Sequence, residues 1–550
     1  MTFCARRKRQ LSRRTGMFLV ALVLTFGVAR RVNPAATDPA AALIFRARTA
    51  LGPGLGHVKS LHLAGTLSAG DISGTIESWI NLTDGRFATR TEAGPLTQAE
   101  GYDGRTAWRS DAKGIVLPQT GPLAKMMAVN EIFNNTYALF SRDYGGASVS
   151  YLGTRTDAGK NYEAIAVKPK GGLAQEIWFD SGTALPARTI VDLGAAAITT
   201  TLSGYRNIDG LMVAAEHGTS RRLTVRDFYG HEQGYVSSEL TSNETKAEAD
   251  VGHIDQHFAM QPSAINDISL PGGEARIPFT MQNFWILVGV RLNGKGPFKL
   301  MLDSGGRNIL SPSVAWQIGA SASGQVPQSS NIPLVKPVRY VKVESVALGS
   351  ATLTQQYFNV GGVGNVFTRV WTKDGMIGYE LFARFITTVD YAQRQLILRL
   401  PNEHRNEVTV PAGEVSLPLA FDDTKPEVAC KIADTDASCI IDTGAGLALL
   451  LSGPFVKANA AIQPPWFAGT YTRVYGSGGA SEVRFGPVSS LQLGPFSLPN
   501  VDTLFTTAGN GALAQYLSAL VGNRIWRRFS ITFDYSHAIL RLVPDASLIH

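Results

Sequence analysis

The feature that most constrains this chain is that its C-terminal half is written twice. Phe298-Lys299-Leu300-Met301-Leu302-Asp303-Ser304-Gly305-Gly306 matches Ala437-Ser438-Cys439-Ile440-Ile441-Asp442-Thr443-Gly444-Ala445. Ser345–Gly349 matches Ser490–Gly494, and Ile377-Gly378 through Phe385 to Asp390-Tyr391 matches Val521-Gly522 through Phe529 to Asp534-Tyr535. In the last match the Gly-to-Phe and Gly-to-Asp intervals are the same in both copies. Three landmarks in one order define a duplicated lobe, expected over residues 281–400 and 414–550 with a linker over 401–413.

In each copy an Asp, a hydroxyl residue and a glycine end a wholly apolar run, so the carboxylate should emerge from a buried strand. A third such tripeptide, Asp180-Ser181-Gly182, runs into Thr183-Ala184-Leu185-Pro186 and is followed by none of the other landmarks. It reads as a structural β-turn. Two carboxyls held a few ångströms apart cannot both ionise readily, so they share one proton over a pH range. One can then take a proton from water while the other donates to a substrate carbonyl oxygen.

Over most of the C-terminal half these residues resemble the retropepsin-like and pepsin-like aspartic proteases, particularly their bacterial secreted members. The resemblance implies that Asp303 and Asp442 are the catalytic pair, with Ser304 and Thr443 as their hydroxyl neighbours. It implies close-approach glycines at Gly305 and Gly444, and return-strand glycines behind the site at Gly378 and Gly522. Both halves lie in one chain, so one copy should form the site, with a peptide or protein substrate and no cofactor or metal. A substrate-covering flap is expected in lobe two, with Tyr475, Gly476 and Gly478 at its tip. The corresponding residues of lobe one, about 324–340, are polar and proline-bearing and lack a glycine tip.

Cys430 and Cys439 flank Ala433-Asp434-Thr435-Asp436. With Asp434-Thr435 as a hairpin tip they would face each other directly, close enough for a disulfide; two buried free thiols are the alternative.

Residues 37–250 read as a separate β-rich unit. A helix is expected around Ala42–Leu51 and another over Leu123–Tyr144, among alternating segments such as Val58–Leu67, Gly74–Asn81, Tyr162–Lys168 and Ala174–Asp180. Asp84-Gly85 and Asp103-Gly104 are hairpin-turn dipeptides. Glu176-Ile177-Trp178-Phe179-Asp180, Tyr102-Asp103-Gly104-Arg105-Thr106-Ala107-Trp108 and Tyr205-Arg206-Asn207-Ile208-Asp209-Gly210-Leu211 together resemble the bacterial lipoprotein-carrier (lipoprotein-sorting) fold. That resemblance implies a half-open barrel covering helices, and either a lipid or lipoprotein contact or a docking role. Residues 251–280 read as a connector. The fold class expected is therefore mainly β: an N-terminal antiparallel half-barrel with packed helices, followed by two duplicated retropepsin-like β lobes.

The formal charge of +7 is misleading. Residues 1–31 carry eight Lys/Arg and no acid, and without them the body is near neutrality. That excludes the clustered basic face of a nucleic-acid-binding domain. The basic stretch precedes an apolar run over 16–29, the size of a signal-peptide core and short for a membrane span. Residues 1–36 thus read as a signal peptide or an uncleaved anchor, sending the body to the periplasm or outside, with tethering to the inner membrane in the second case. Gly289–Gly296 mimics a phosphate loop, but Gly follows the Lys, and Asn293-Gly294 between apolar runs indicates a hairpin. His253 and His257 have no further ligand cluster and read as linker histidines. The competing function is a non-catalytic envelope carrier with protease-like lobes as scaffold.

Overall fold

The computed structural model describes residues 38–193, 196–226, 232–330, 337–361, 374–401, 413–462, 471–476, 479–506 and 519–545. The expected targeting segment, most of the expected linker and Gly478 of the candidate flap lie outside them. The chain is mainly β. Among the described residues no helix is long and apolar enough to cross a membrane.

Each lobe starts from a two-residue hairpin whose turn needs positive φ at both positions. In lobe one Asn293 and Gly294 supply it (φ 48° and 76°) between strands Trp285–Leu292 and Lys295–Leu302. In lobe two Ala433 and Asp434 supply it (φ 46° and 67°) between Lys425–Ile432 and Thr435–Ile441. The second tip therefore sits one residue earlier than Asp434-Thr435. Cys430 pairs with Ala437, and Cys439 with Val428, so the cysteines are diagonal neighbours rather than directly opposed. They are joined by a disulfide, with Cα atoms 6.0 Å apart.

The apolar alternation of these hairpins closes each lobe into a ring of six strands. In lobe one the ring runs through Trp285–Leu292, Lys295–Leu302, Gly375–Ile377, Ile309–Leu310, Ala351–Gly361 and Val338–Leu348, which pairs back to the first. Lobe two repeats it through Lys425–Ile432, Thr435–Ile441, Ala519–Val521, Leu449–Leu451, Phe496–Thr506 and Gly479–Leu493. In both rings the strand ending at the Asp is paired in parallel with the strand ending before Gly378 or Gly522. That parallel pairing explains why the two landmarks recur together although they are far apart in sequence.

The lobes share a second sheet in which Ile386–Asp390 pairs antiparallel with Phe529–Asp534. On that junction Thr388 and Thr532, equivalent positions of the repeat, hydrogen-bond through their hydroxyls at 2.8 Å. Phe382 and Phe533 pack edge-to-face beside them, 4.9 Å between ring centres. Strand Glu274–Gln282 belongs to this sheet, pairing with Gln395–Arg399, so regular structure begins inside the stretch expected to be a connector.

The N-terminal half-barrel is one antiparallel sheet running from Val116–Gln119 at one edge to Ser148–Asp157 at the other. Helix α1 (Pro39–Leu51) has Pro at its first turn and Asp38 accepting from the Ala40 N–H at 3.0 Å, the residue types that favour a helix start. It buries Leu43, Ile44, Ala47 and Leu51 against Ile165, Val167, Ile177 and Phe179 of the sheet. Helix α2 (Pro122–Asn135) lies across the same sheet, with Phe133 in that cluster and Leu123 and Met127 packed near Val191 and Leu193. It ends well before the expected Tyr144; Ala138–Phe140 and Tyr144–Gly146 are short 3₁₀ turns. Asp180 accepts from the Gly182 and Thr183 N–H groups at 3.0 and 2.9 Å, closing a turn at the end of strand Gln175–Asp180.

Several attachments fasten this sheet to the lobes. The first turn of α2 has no cap of its own; Asp422 of lobe two accepts from the Ala124 N–H at 2.6 Å and the Leu123 N–H at 3.3 Å. A Cβ on Gly121 would come within 2.4 Å of that carboxyl, so the approach needs a glycine. Arg384, fully buried in lobe one, pairs with Asp267 at 2.7 Å and with Asp111 of the N-terminal unit at 3.2 Å. Strand Gln328–Ser330, in the stretch of lobe one that corresponds to the candidate flap, pairs with Val236–Ser238 and so joins the N-terminal sheet.

Candidate active site

The two loops that follow the duplicated apolar strands meet through four buried hydrogen bonds. The Ser304 N–H donates to Thr443 Oγ1 at 2.9 Å, and the Thr443 N–H donates to Ser304 Oγ at 3.1 Å. Each hydroxyl then donates onward to the opposite strand: Ser304 Oγ to the Ile441 carbonyl at 2.7 Å, Thr443 Oγ1 to the Leu302 carbonyl at 3.0 Å. Both side chains are fully buried, so every donor and acceptor they carry has to be met within the protein.

This clasp brings the loops of Asp303 and Asp442 together, near enough for the charge of Asp303 to act on Asp442. Asp303 Oδ1 accepts from the Gly305 and Gly306 N–H groups, both at 2.9 Å, and Asp442 Oδ1 accepts from the Gly444 N–H at 2.8 Å. A Cβ on Gly444 would lie 2.6 Å from the Asp303 carboxyl, so this glycine is what lets the second loop reach the first aspartate. The two loops are not equivalent here. A Cβ on Gly305 would make only ordinary contacts, the nearest 3.7 Å away, so Gly305 serves through its N–H. Behind the loops, Gly378 and Gly522 press on the backbone: a Cβ would meet the Gly306 carbonyl at 2.3 Å and the Leu447 carbonyl at 2.4 Å respectively.

Electrostatics separate the two acids. Burial raises the Asp303 carboxyl above its ordinary range, opposed by the Gly305 and Gly306 N–H groups and by the positive charge of Lys425. Asp442 is raised well above it, by burial and then by the negative charge of Asp303. Both carboxyls are raised and each feels the other's charge, so the two titrate as one pair that shares a single proton over a range of pH.

Several residues that motif matching passed over belong to the site. The Ser304 and Thr443 carbonyls, equivalent in the repeat, are each held by a side chain: Tyr535 O–H donates to the first at 3.1 Å and Asn523 Nδ2 to the second at 2.6 Å. Tyr391 O–H in turn donates to Asn523 Oδ1 at 2.7 Å. Both tyrosines sit in the Asp-Tyr landmark, and Asn523 follows Gly522, so the repeat carries a signal for them. Lys425 is subtler. Leu287 pairs with Met301 and Glu427 with Ile440, so two residues earlier Trp285 and Lys425 are equivalent. Trp285 lies against the lobe-two loop at Gly446, and the Lys425 stem lies against the lobe-one loop at Gly305.

Next to Lys425, Asp423 bridges Arg109 of the N-terminal unit at 3.0 Å and Arg307 of lobe one at 3.3 Å. Burial alone would raise Asp423, but the two guanidinium groups prevail and hold it below the usual carboxylate range. For the candidate flap, Tyr475 pairs with Ala480 and Gly476 with Gly479 in the hairpin of Tyr471–Gly476 with Gly479–Leu493. Among the described residues no group of three or more His, Cys, Asp or Glu is placed to hold a metal ion.

No family model and no curated protein matches the chain. Among solved structures, it is similar to an aspartic proteinase from Irpex lacteus, 14% identical over 50% of this chain and 98% of that one, with a TM-score of 0.32. A retropepsin-like aspartic protease from Rickettsia conorii is 18% identical over 24% of this chain and 89% of its own, with a TM-score of 0.19. A LolA superfamily protein from Nitrosomonas europaea is 13% identical over 40% of this chain and 97% of its own, with a TM-score of 0.26. At these scores none of the likenesses carries the reading of the site, which rests on its own geometry.

Proposed function

We propose that the chain is an aspartic endopeptidase that works outside the cytoplasm. The observation that carries this is the reciprocal Ser304–Thr443 clasp, which joins the two loops that bear the buried, mutually coupled carboxyls of Asp303 and Asp442 at the ends of duplicated strands. In this reading Asp303 accepts a proton from a water molecule as the water oxygen bonds to the peptide carbonyl carbon. Asp442 gives its proton to the carbonyl oxygen. The tetrahedral intermediate then collapses: the C–N bond breaks, the proton held on Asp303 passes to the leaving amine, and one hydroxyl of the intermediate returns its proton to Asp442 as the product carboxyl forms, which restores the pair. The disulfide supports an oxidising compartment. One chain supplies both halves of the site, and residues 37–250 form the third part of the working enzyme.

The experiment is cleavage of an unbiased peptide library, with pepstatin and Asp442→Asn as controls. The expected outcome is pepstatin-sensitive cleavage that falls by about 10²–10⁴-fold in Asp442→Asn, the usual contribution of a proton-transferring group. Asp180→Ala should cleave as the parent does. A folded chain that cleaves nothing under any pH would favour the competing reading, an envelope carrier with the lobes as scaffold.

A further inference from the structure

Beneath the N-terminal sheet lies a cavity of about 380 Å³, within the range of roughly 300–1,000 Å³ typical of ligand sites. Phe87 and Trp108 of the sheet and Met127 and Ala128 of α2 form its apolar walls, and Asp423 and Lys425 of lobe two close its floor. The cavity begins where the candidate active site ends. Lys425 lines it while acting electrostatically on both Asp303 and Asp442. Leu123 lines it while packing in the same cluster as Ala445 and Leu447, the residues that follow Thr443-Gly444.

We propose that this cavity is a substrate subsite that takes a large apolar side chain of the polypeptide lying across the catalytic pair, so that the N-terminal unit sets cleavage preference. The inference rests on the peptidase reading above. The chemistry of the walls selects a polypeptide over an alkyl chain. Arg109, Arg221, Glu131 and Asp423 share the cavity with the apolar residues. An alkyl chain would displace water from those groups and return no hydrogen bonds, whereas a peptide brings an N–H and a C=O at every residue. Glu131 keeps accessible surface because it faces the cavity. The protein around it, and then the charge of Glu100, push its carboxyl up to about 7, so near neutrality it can donate a hydrogen bond to a peptide carbonyl.

The test separates binding from cleavage. Binding is read by fluorescence anisotropy on the full chain carrying Asp442→Asn. The probes are labelled peptides that differ only in having Gly, Leu or Phe at one position near the scissile bond. The expected result is a preference of about tenfold or more for Leu or Phe over Gly at one such position, the order a side-chain pocket supplies. Ala128→Trp, which fills the cavity, should remove that preference. Met127→Ala, which enlarges the cavity without overpacking it, should move the preference from Leu to Phe and serves if Ala128→Trp does not fold. Equal preferences in all folded variants overturn the proposal. So does tight binding of a 16-carbon fatty-acid probe that Ala128→Trp abolishes while peptides show no preference. Cleavage is then read on the parent chain: no cleavage with the binding preference intact sinks only the peptidase reading.

Discussion

Ser304 and Thr443 are each donor and acceptor to the other, N–H to hydroxyl in both directions, at 2.9 and 3.1 Å. Neither loop can take its conformation alone, because each needs the other's hydroxyl to satisfy a buried N–H. The first prediction follows from that dependence. Thr443→Val keeps the shape but leaves the Ser304 N–H and the Leu302 carbonyl short of a partner. It should cost about 1–3 kcal/mol of stability, the penalty for an unsatisfied buried group, and lower kcat more than it raises KM. Thr443→Ser should recover most of both. Urea denaturation and steady-state kinetics check this; a Val variant as stable and active as the parent would show that the clasp is incidental.

The pH profile of kcat/KM should be bell-shaped, with both limbs above the ordinary carboxylate range, because burial raises both aspartates. Activity needs the pair singly protonated, so it grows as pH rises past the first ionisation of the pair and is lost as pH rises past the second. Lys425 favours the ionised form of Asp303. It likewise favours the ionised form of Asp442, so Lys425→Met should raise both limbs and move the whole bell to higher pH. A profile unchanged in Lys425→Met would remove the lysine from the site's electrostatics.

Asp442 also links the site to stability. Its folded-state pKa lies above the unfolded value, so the stability it contributes is complete below the unfolded carboxylate pKa and is lost as pH rises through the folded one. Asp442→Asn cannot titrate. Its melting temperature should therefore exceed that of the parent by a margin that grows between pH 4 and pH 8. A margin that shrinks with rising pH would mean that the carboxyl is stabilised in its charged form.

Asp422→Ala should loosen the N-terminal unit from a distance. It removes the carboxyl that caps the first turn of α2, a loss of about 0.5–2 kcal/mol. Hydrogen exchange at the Leu123 and Ala124 amides should accelerate while exchange in the strand Thr435–Ile441 stays slow. Unchanged protection at those two amides would show that α2 is capped by other means.

The sequence made the mainly-β class legible because its evidence is local. Apolar runs ending in turn residues, such as Trp285–Leu292 before Asn293-Gly294, read the same in a short window as in the fold. The repeat also marked the loops at Asp303 and Asp442 that meet in space. Two things were hidden. Strands Glu216–Arg226 and Glu232–Ala249 are rich in charged and hydroxyl residues, so they lack the one-sided apolar alternation that announces a strand. They nonetheless pair with each other in the middle of the N-terminal sheet. The attachments at Asp422, Arg384 and Asp423 join residues hundreds of positions apart, and no periodicity reports a partner at that range. The hairpin tip falls at Ala433-Asp434 and not at Asp434-Thr435, a shift that local residue preference conceals because Ala, unfavourable at positive φ, holds the first turn position.

The unlike pair Trp285 and Lys425 has a consequence for how a chain could be read. A site built from two identical halves would look the same to a polypeptide entering from either end, and could not tell its N-to-C direction from the reverse. Here an indole stands on one side of the aspartates and an ammonium on the other. Under the proposed peptidase reading, that difference would give the cleft a left and a right, so a bound chain would have one favoured heading and the products would leave by distinguishable sides.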